Sequence, residues 1–457
     1  MSKEIPSFSR LVMLLVVALA IALGSFPVDL AAGDTSDPYY SVETIPLSDG
    51  TQLERITISG PPTPPPGYEL QRTPVTPSEL HQLLGIYTLP VPAYDWVFGC
   101  SAVSASMIGA YFDRTTLPDI YTGPTNDGVM PMDNSIWGTW TDGLYTYRDN
   151  PLTASHNGLD GRTTNGSIDD YWVQYGSNTR DPYITGGWAQ HAWGDAIGDY
   201  MKTSQSAYDN TDGSTVFYNY SSASKLTCAI METMRSGRWF VYERDGTYGR
   251  KLFYEARGYS VVDCYNQKTD NIVAGGFSFA DYKAKIDAGY PVFLNLAGHS
   301  VVGIGYDDST TPGTVYLNDT WDYNTHTMVW GGSYADMALQ SVSIADPDIP
   351  TAVDLARFES WPEWPRVHVQ WETTNEVDNL GFNLYRAEAG NEGDTRIQLN
   401  KDLIPTSMPP GSPSGAIYDW IDKYKLRKNR IYLYWLEDVD IYGRRTMHGP
   451  VQVTISK

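Results

Sequence analysis

Residues 94–111, YDWVFGCSAVSASMIGAY, decide how the chain is read. An aromatic run ends at Gly99 and Cys100, after which small residues recur at Ala102, Ser104, Ala105, Ser106, Gly109 and Ala110. Met107, Ile108 and Tyr111 fall at helical spacing among them. The pattern predicts a helix that starts at Cys100 and is buried by close neighbours. A cysteine in a first helical turn faces unpaired N–H groups and the positive end of the helix dipole, which favour the nucleophilic thiolate.

Toward the C-terminus, FSFADYKAKIDAG (277–289) reads as a helix with a glycine stop, followed by the strands YPVFLNL (290–296), HSVVGIGY (299–306) and TVYLND (314–319). His299 heads one strand and Asp319 ends the next, so a hairpin brings them together. One imidazole nitrogen is then expected to meet the Cys100 sulfur while the Asp319 carboxylate holds the other. Only three cysteines are present, which excludes a disulfide-stapled scaffold and an all-cysteine metal cluster. In an oxidising compartment Cys228 and Cys264 can pair, leaving Cys100 as the odd thiol.

The 457 residues suggest roughly three units. Lys3 and Arg10 precede LVMLLVVALAIALG (11–24), a basic segment and an apolar run, the pattern of a signal peptide over residues 1–24. The run is short of the roughly 20 residues a membrane span needs, so cleavage and secretion are favoured over an uncleaved anchor. Residues 25–90 hold the stiff spacer PPTPPPG (61–67) and read as a pro-region or an arm. A domain over 91–345 follows, with a large insertion at about 123–275 rich in Gly, Asn, Asp, Trp and Tyr. A linker at 346–351 leads to residues 352–457, where VHVQW, GFNLYR, IYLYWLEDV and VQVTI recur at the spacing of a β sandwich.

The formal charge is −22, yet residues 352–457 carry thirteen Lys and Arg against fifteen Asp and Glu. Nearly all the acidity therefore precedes the sandwich. It argues against nucleic acid as a partner and implies that acidic substrates are repelled.

W-x-F-G-C-S leading into the small-residue helix, G-H-S-V-V-G-I-G-Y-D and V-Y-L-N-D-T-W together resemble the papain-like cysteine peptidases, in the branch similar to bacteriocin-processing (double-glycine) peptidases of bacteria. The resemblance covers roughly residues 90–345 and implies an α+β domain with Cys100 as nucleophile, His299 as general base and acid, and Asp319 as the residue that orients it. Asn318 is a second choice for that orienting role. Such peptidases usually carry Gln six residues before the cysteine to help hold the oxyanion; here that position is Tyr94, whose hydroxyl is the proposed substitute. Losing one such donor costs about 3–4 kcal/mol of transition-state stabilisation. The C-terminal stretch resembles a fibronectin type III-like, immunoglobulin-type all-β sandwich, with Trp371 as core anchor and Tyr432 as a corner tyrosine.

Other signals are weak. Turns at Asp209 and Asp212 lack calcium-loop spacing, and His156, His191 and His326 make no metal motif. No metal or cofactor is implied. Trp137, Trp140, Trp172, Trp188 and Trp193 read as core packing, the rival being a carbohydrate or peptide cleft lined by them. The expectation is a secreted cysteine peptidase acting on peptide or protein substrates, the sandwich serving as a spacer or as a contact to a cell-surface or extracellular ligand. Its rivals are an inactive pseudo-peptidase used for binding or adhesion, and an amidase or acyltransferase using the same triad.

Overall fold

The computed structural model describes residues 37–68, 72–75, 86–121, 129–141, 146–148, 150–154, 196–205, 208–210, 212–349, 353–390, 396–409, 412, 414–424 and 426–455. The N-terminal run read as a signal peptide lies outside them, as do His156, His191, Trp172, Trp188 and Trp193. Among the described residues no helix is long and apolar enough to cross a membrane.

The alternation before the proline-rich spacer resolves into a hairpin of β1 (Tyr40–Pro46) and β2 (Gln52–Ile58), closed by a turn at Asp49 and Gly50. Leu53, Ile56 and Ile58 of β2 are buried, and the strand pairs along its length with β4 (Thr215–Tyr220). The hairpin is thus built into the core and is more than an arm laid over it. Between them in sequence come β3 (Ile86–Thr88) and α1 (Cys100–Thr115). Every residue of α1 from Cys100 to Asp113 is buried, as its small-residue pattern requires.

The main sheet has nine strands. In chain order its remaining elements are β5 (Leu226–Thr227), α2 (Gly246–Ala256), β6 (Val261–Lys268), α3 (Phe279–Asp287), β7 (Val292–Leu296), β8 (His299–Asp307), β9 (Thr314–Asn318), β10 (Thr325–Val329) and β11 (Met337–Pro347). Neighbours run β10–β9–β8–β7–β11–β6–β5, with β3 also against β8 and a short strand, Ser333–Tyr334, against β11. α3 begins at a reciprocal cap: Ser278 Oγ accepts the Asp281 N–H, and Asp281 accepts that of Ser278.

Three boundaries change. The insertion read over 123–275 does not stand apart at its C-terminal end, because β6 lies inside the main sheet between β11 and β5. Its polar composition hid that burial: Asn266 is a core residue that donates to Tyr218 O and Asp245. The linker read at 346–351 starts later, since β11 runs to Pro347 opposite Val261. Asp346 looks like turn chemistry but is neutralised inside the fold by Lys285, 2.6 Å away. β3 likewise carries the domain's start ahead of residue 91.

The C-terminal region is a β sandwich. One sheet orders β12 (Asp354–Glu363), β13 (Arg366–Asn375) and β15 (Ile417–Asp422); the other holds β14 (Asn379–Glu388), β16 (Ile431–Asp440) and β17 (Arg445–Thr454) with two short strands. Trp371 is fully buried, its ring stacked on Tyr418 at 5.3 Å and edge-on to Phe382. The Tyr432 hydroxyl accepts the Arg427 N–H at 2.9 Å, a main-chain tie five residues upstream. The sandwich touches the first domain where the Tyr87 hydroxyl donates to Gly443 O and Arg445 lies 5.3 Å over the Tyr87 ring.

Cys228 and Cys264 form a disulfide, 36 residues apart with Cα atoms 5.4 Å from each other, and Cys100 is free. Closing a loop of that size removes denatured-state entropy worth about 3–4 kcal/mol. Cys264→Ser is therefore expected to lower the unfolding free energy by about 3 kcal/mol, read as a lower urea midpoint together with a steeper slope, because the unlinked denatured chain is less compact.

Candidate active site

Gly99 turns the chain into α1 with φ at 117°, and a β-carbon there would sit 2.5 Å from Gly213 O. Only glycine fits, and its close approach to residue 213 sets where the next residue points. That residue, Cys100, places its thiol against the start of β8. Ser101 Oγ meets Ser300 Oγ at 2.9 Å and Ser104 Oγ donates to Ser300 O at 3.0 Å, so the helix is pinned to β8 beside the catalytic candidates.

His299 opens β8, paired with Leu296 across the turn from β7, and is completely buried. Its Nε2 lies 2.7 Å from the main-chain oxygen of Asp319. A carbonyl only accepts, so the ring proton sits on Nε2 and Nδ1 keeps its lone pair. Nδ1 is buried without a hydrogen-bond partner, and it borders the same point beside Gly60 as the sulfur. A β-carbon built on Gly60 would lie 2.4 Å from Cys100 Sγ and 3.1 Å from His299 Nδ1, so the two atoms are separated by no more than the sum of those distances. Trp321 stacks on the imidazole at 3.9 Å with the rings 12° from parallel.

The sequence reading gave the orienting role to the Asp319 carboxylate; the structure gives the contact to its carbonyl. The carboxylate is engaged elsewhere: Oδ1 accepts the Trp321 N–H at 3.0 Å, and Oδ2 accepts Arg72 Nε at 2.7 Å and the Tyr334 hydroxyl at 2.6 Å. It fixes the loop after β9, and the loop fixes the carbonyl. Thr320, at φ 71°, is the residue on which that loop turns.

Tyr94 and Asn318 serve the scaffold. The buried Tyr94 hydroxyl donates to Pro131 O at 2.9 Å, which commits its proton and corrects the expectation of an oxyanion donor. Asn318 Nδ2 donates to Val91 O and Pro92 O while its Oδ1 accepts from Thr325, so its amide ties down the strand entering Cys100 and does not orient His299. Asp319, Asp322 and His326 offer ligand atoms within 4.8 Å of one another. Arg72 supplies positive charge to that cluster, reaching Asp319 at 2.7 Å and Asp322 at 2.9 Å. Sequence reasoning missed Gly60, Arg72, Trp321 and Tyr334. Trp321 alone had a local signal, an aromatic two residues beyond the acid.

Burial dominates the protonation of the pair. It pushes the Cys100 thiol up to about 11, although hydrogen bonds from Ser300 and Ser101 oppose it, and pushes His299 down to about 4. In this closed arrangement burial leaves both groups neutral at pH 7.

Residues 88–340 match the family model described as Peptidase_C39 like family, and the chain belongs to that family of papain-like peptidase type. Among curated proteins none matches the chain.

The raised thiol pKa sets a test. With the thiolate as the reactive form, about one molecule in ten thousand is reactive at pH 7. Iodoacetamide should label Cys100 in the resting protein on the order of 100-fold more slowly than free cysteine at pH 7, the rate climbing as pH approaches 11. Mass spectrometry against pH checks it; fast labelling at pH 6 would require a thiolate already present.

Proposed function

We propose that this member of the Peptidase_C39 like family is a cysteine peptidase that hydrolyses peptide bonds with Cys100 as nucleophile, His299 as base and acid, and Asp319 as the positioning residue through its main-chain carbonyl. The observation that carries the reading is the convergence of Cys100 Sγ and His299 Nδ1 on one point, with Nε2 tied to Asp319 O. Nδ1 takes the thiol proton and the sulfur attacks the peptide carbonyl. The tetrahedral oxyanion meets N–H groups in the first turn of α1, which have no intrahelical acceptor. As the C–N bond breaks, the imidazolium returns its proton to the departing amine. Water, deprotonated by Nδ1, then attacks the thioester; the carboxylic acid leaves and the thiol is restored.

Several parts of this reading go beyond the family. Secretion is supported by the basic and apolar N-terminal run, and a spacer or ligand-contact role for the sandwich by its fibronectin type III-like strand pattern and corner tyrosine. A pseudo-peptidase used for binding is the second reading, favoured by one observation: Gly60 and Pro61 are buried against the catalytic pair.

Casein hydrolysis, wherever the purified protein shows it, is expected to fall at least about 1000-fold in Cys100→Ala, in line with loss of a covalent nucleophile; equal and measurable turnover in both rejects the assignment. Because the Tyr94 hydroxyl is bonded to Pro131, Tyr94→Phe should cost about 1 kcal/mol of stability and leave turnover within about twofold. A drop of roughly 100-fold or more, the size of a lost oxyanion donor, would restore the role the sequence suggested.

A further inference from the structure

We infer that Ser59–Gly60–Pro61, held by Trp321 and followed by the latch residue Arg72, is a built-in strap that keeps the Cys100–His299 pair closed to substrate. Its regulatory meaning rests on the peptidase reading; its geometry does not. Gly60 sits with φ at 65°, and the place where any side chain would begin is already filled by Cys100 Sγ and His299 Nδ1. Main chain therefore passes where the carbonyl of a scissile bond would have to come. The Ser59 oxygen is 4.0 Å from the sulfur, and both Gly60 and Pro61 are buried.

The strap is fastened on both sides. Trp321, which stacks on the imidazole, donates its indole N–H to Pro61 O at 2.9 Å. Farther along, the Tyr68 hydroxyl donates to Asp336 at 2.7 Å, Arg72 reaches Asp319 and Asp322 and covers the Trp321 ring at 5.3 Å, and the Val75 N–H donates to Thr325 O at 2.9 Å. Upstream, β2 is locked between β1 and β4, so the strap cannot leave as a separate folded unit. Five of the seven residues in 61–67 are prolines without an N–H, which prevents the segment from zipping onto a sheet edge as a strand. Among the described residues it is held at a few points rather than along a paired strand.

Opening would do two things at once. It would admit a peptide carbonyl to the sulfur, and it would admit water to a thiol and an imidazole that burial keeps uncharged. The nearest groups that would feel the change are those facing the pair: Ser101, Ser300, Thr320, Trp321 and the Asp319–Arg72 couple.

The test uses the full chain and two alterations. Gly60→Ala puts a methyl group where the sulfur lies and disfavours the backbone angle, so the strap must lift. Separately, a recognition sequence for a site-specific protease replaces the partly exposed stretch 63–66, and the strap is cut there. Each is read by iodoacetamide labelling of Cys100 at pH 7, by casein hydrolysis and by far-UV circular dichroism. The expected result is labelling at least tenfold faster in both forms, with an unchanged dichroism spectrum. Unchanged labelling in the cut protein overturns the strap, and that form decides alone if Gly60→Ala fails to fold. Faster labelling without any hydrolysis keeps the strap and rejects the peptidase reading; hydrolysis that is equal before and after the cut, with unchanged labelling, rejects the strap and keeps the peptidase.

Discussion

The main-chain oxygen of Asp319 can accept a hydrogen bond and never donate one, and this asymmetry organises the whole site. It assigns the imidazole proton to Nε2 and leaves the lone pair on Nδ1, which borders Gly60 as the Cys100 sulfur does. The carbonyl is held in place by the loop after β9, and that loop is held by the Asp319 carboxylate through Trp321, Tyr334 and Arg72. One residue thus contributes two separable devices. Its side chain builds the loop, and its backbone sets the tautomer of the base.

The second organising constraint is closeness of approach. α1 can lie against β8 because its inward positions are small and its hydroxyls at Ser101 and Ser104 find Ser300. The same closeness brings Gly99 against Gly213 and Gly60 against the sulfur. A site assembled from backbone at such short range leaves little room for solvent, and burial raises the Cys100 thiol against the hydrogen bonds of Ser300 and Ser101. Charge separation between thiol and imidazole, which the position of Cys100 in its helix suggests, belongs to a hydrated site.

The parts of this structure that were legible from residues alone are those written locally. The run of small residues after Cys100 marks α1, and the apolar strands between Tyr290 and Asp319 mark β7 to β9, because period and turn chemistry are properties of neighbours in sequence. Trp371 and Tyr432 were legible in the sandwich for the same reason. What was hidden depends on partners far along the chain. β2 alternates like a strand, but nothing near it announces β4 as its neighbour. Ser59–Gly60–Pro61 reads as the edge of a proline-rich spacer until it is seen against Cys100 and His299. Nor can a sequence distinguish the carboxylate of Asp319 from its carbonyl. Tyr94 shows the converse error: its position matched that of an oxyanion donor, and its hydroxyl is spent on Pro131.

The burial of Cys100 has a chemical meaning apart from substrate access. Peroxide and other two-electron oxidants attack a cysteine as its thiolate, and the first product, a sulfenic acid, proceeds irreversibly if oxidation continues. Here the two other cysteine sulfurs are already joined to each other. The remaining thiol is held neutral beneath Gly60 and Pro61. The same covering that withholds the nucleophile therefore also shields it from oxidants.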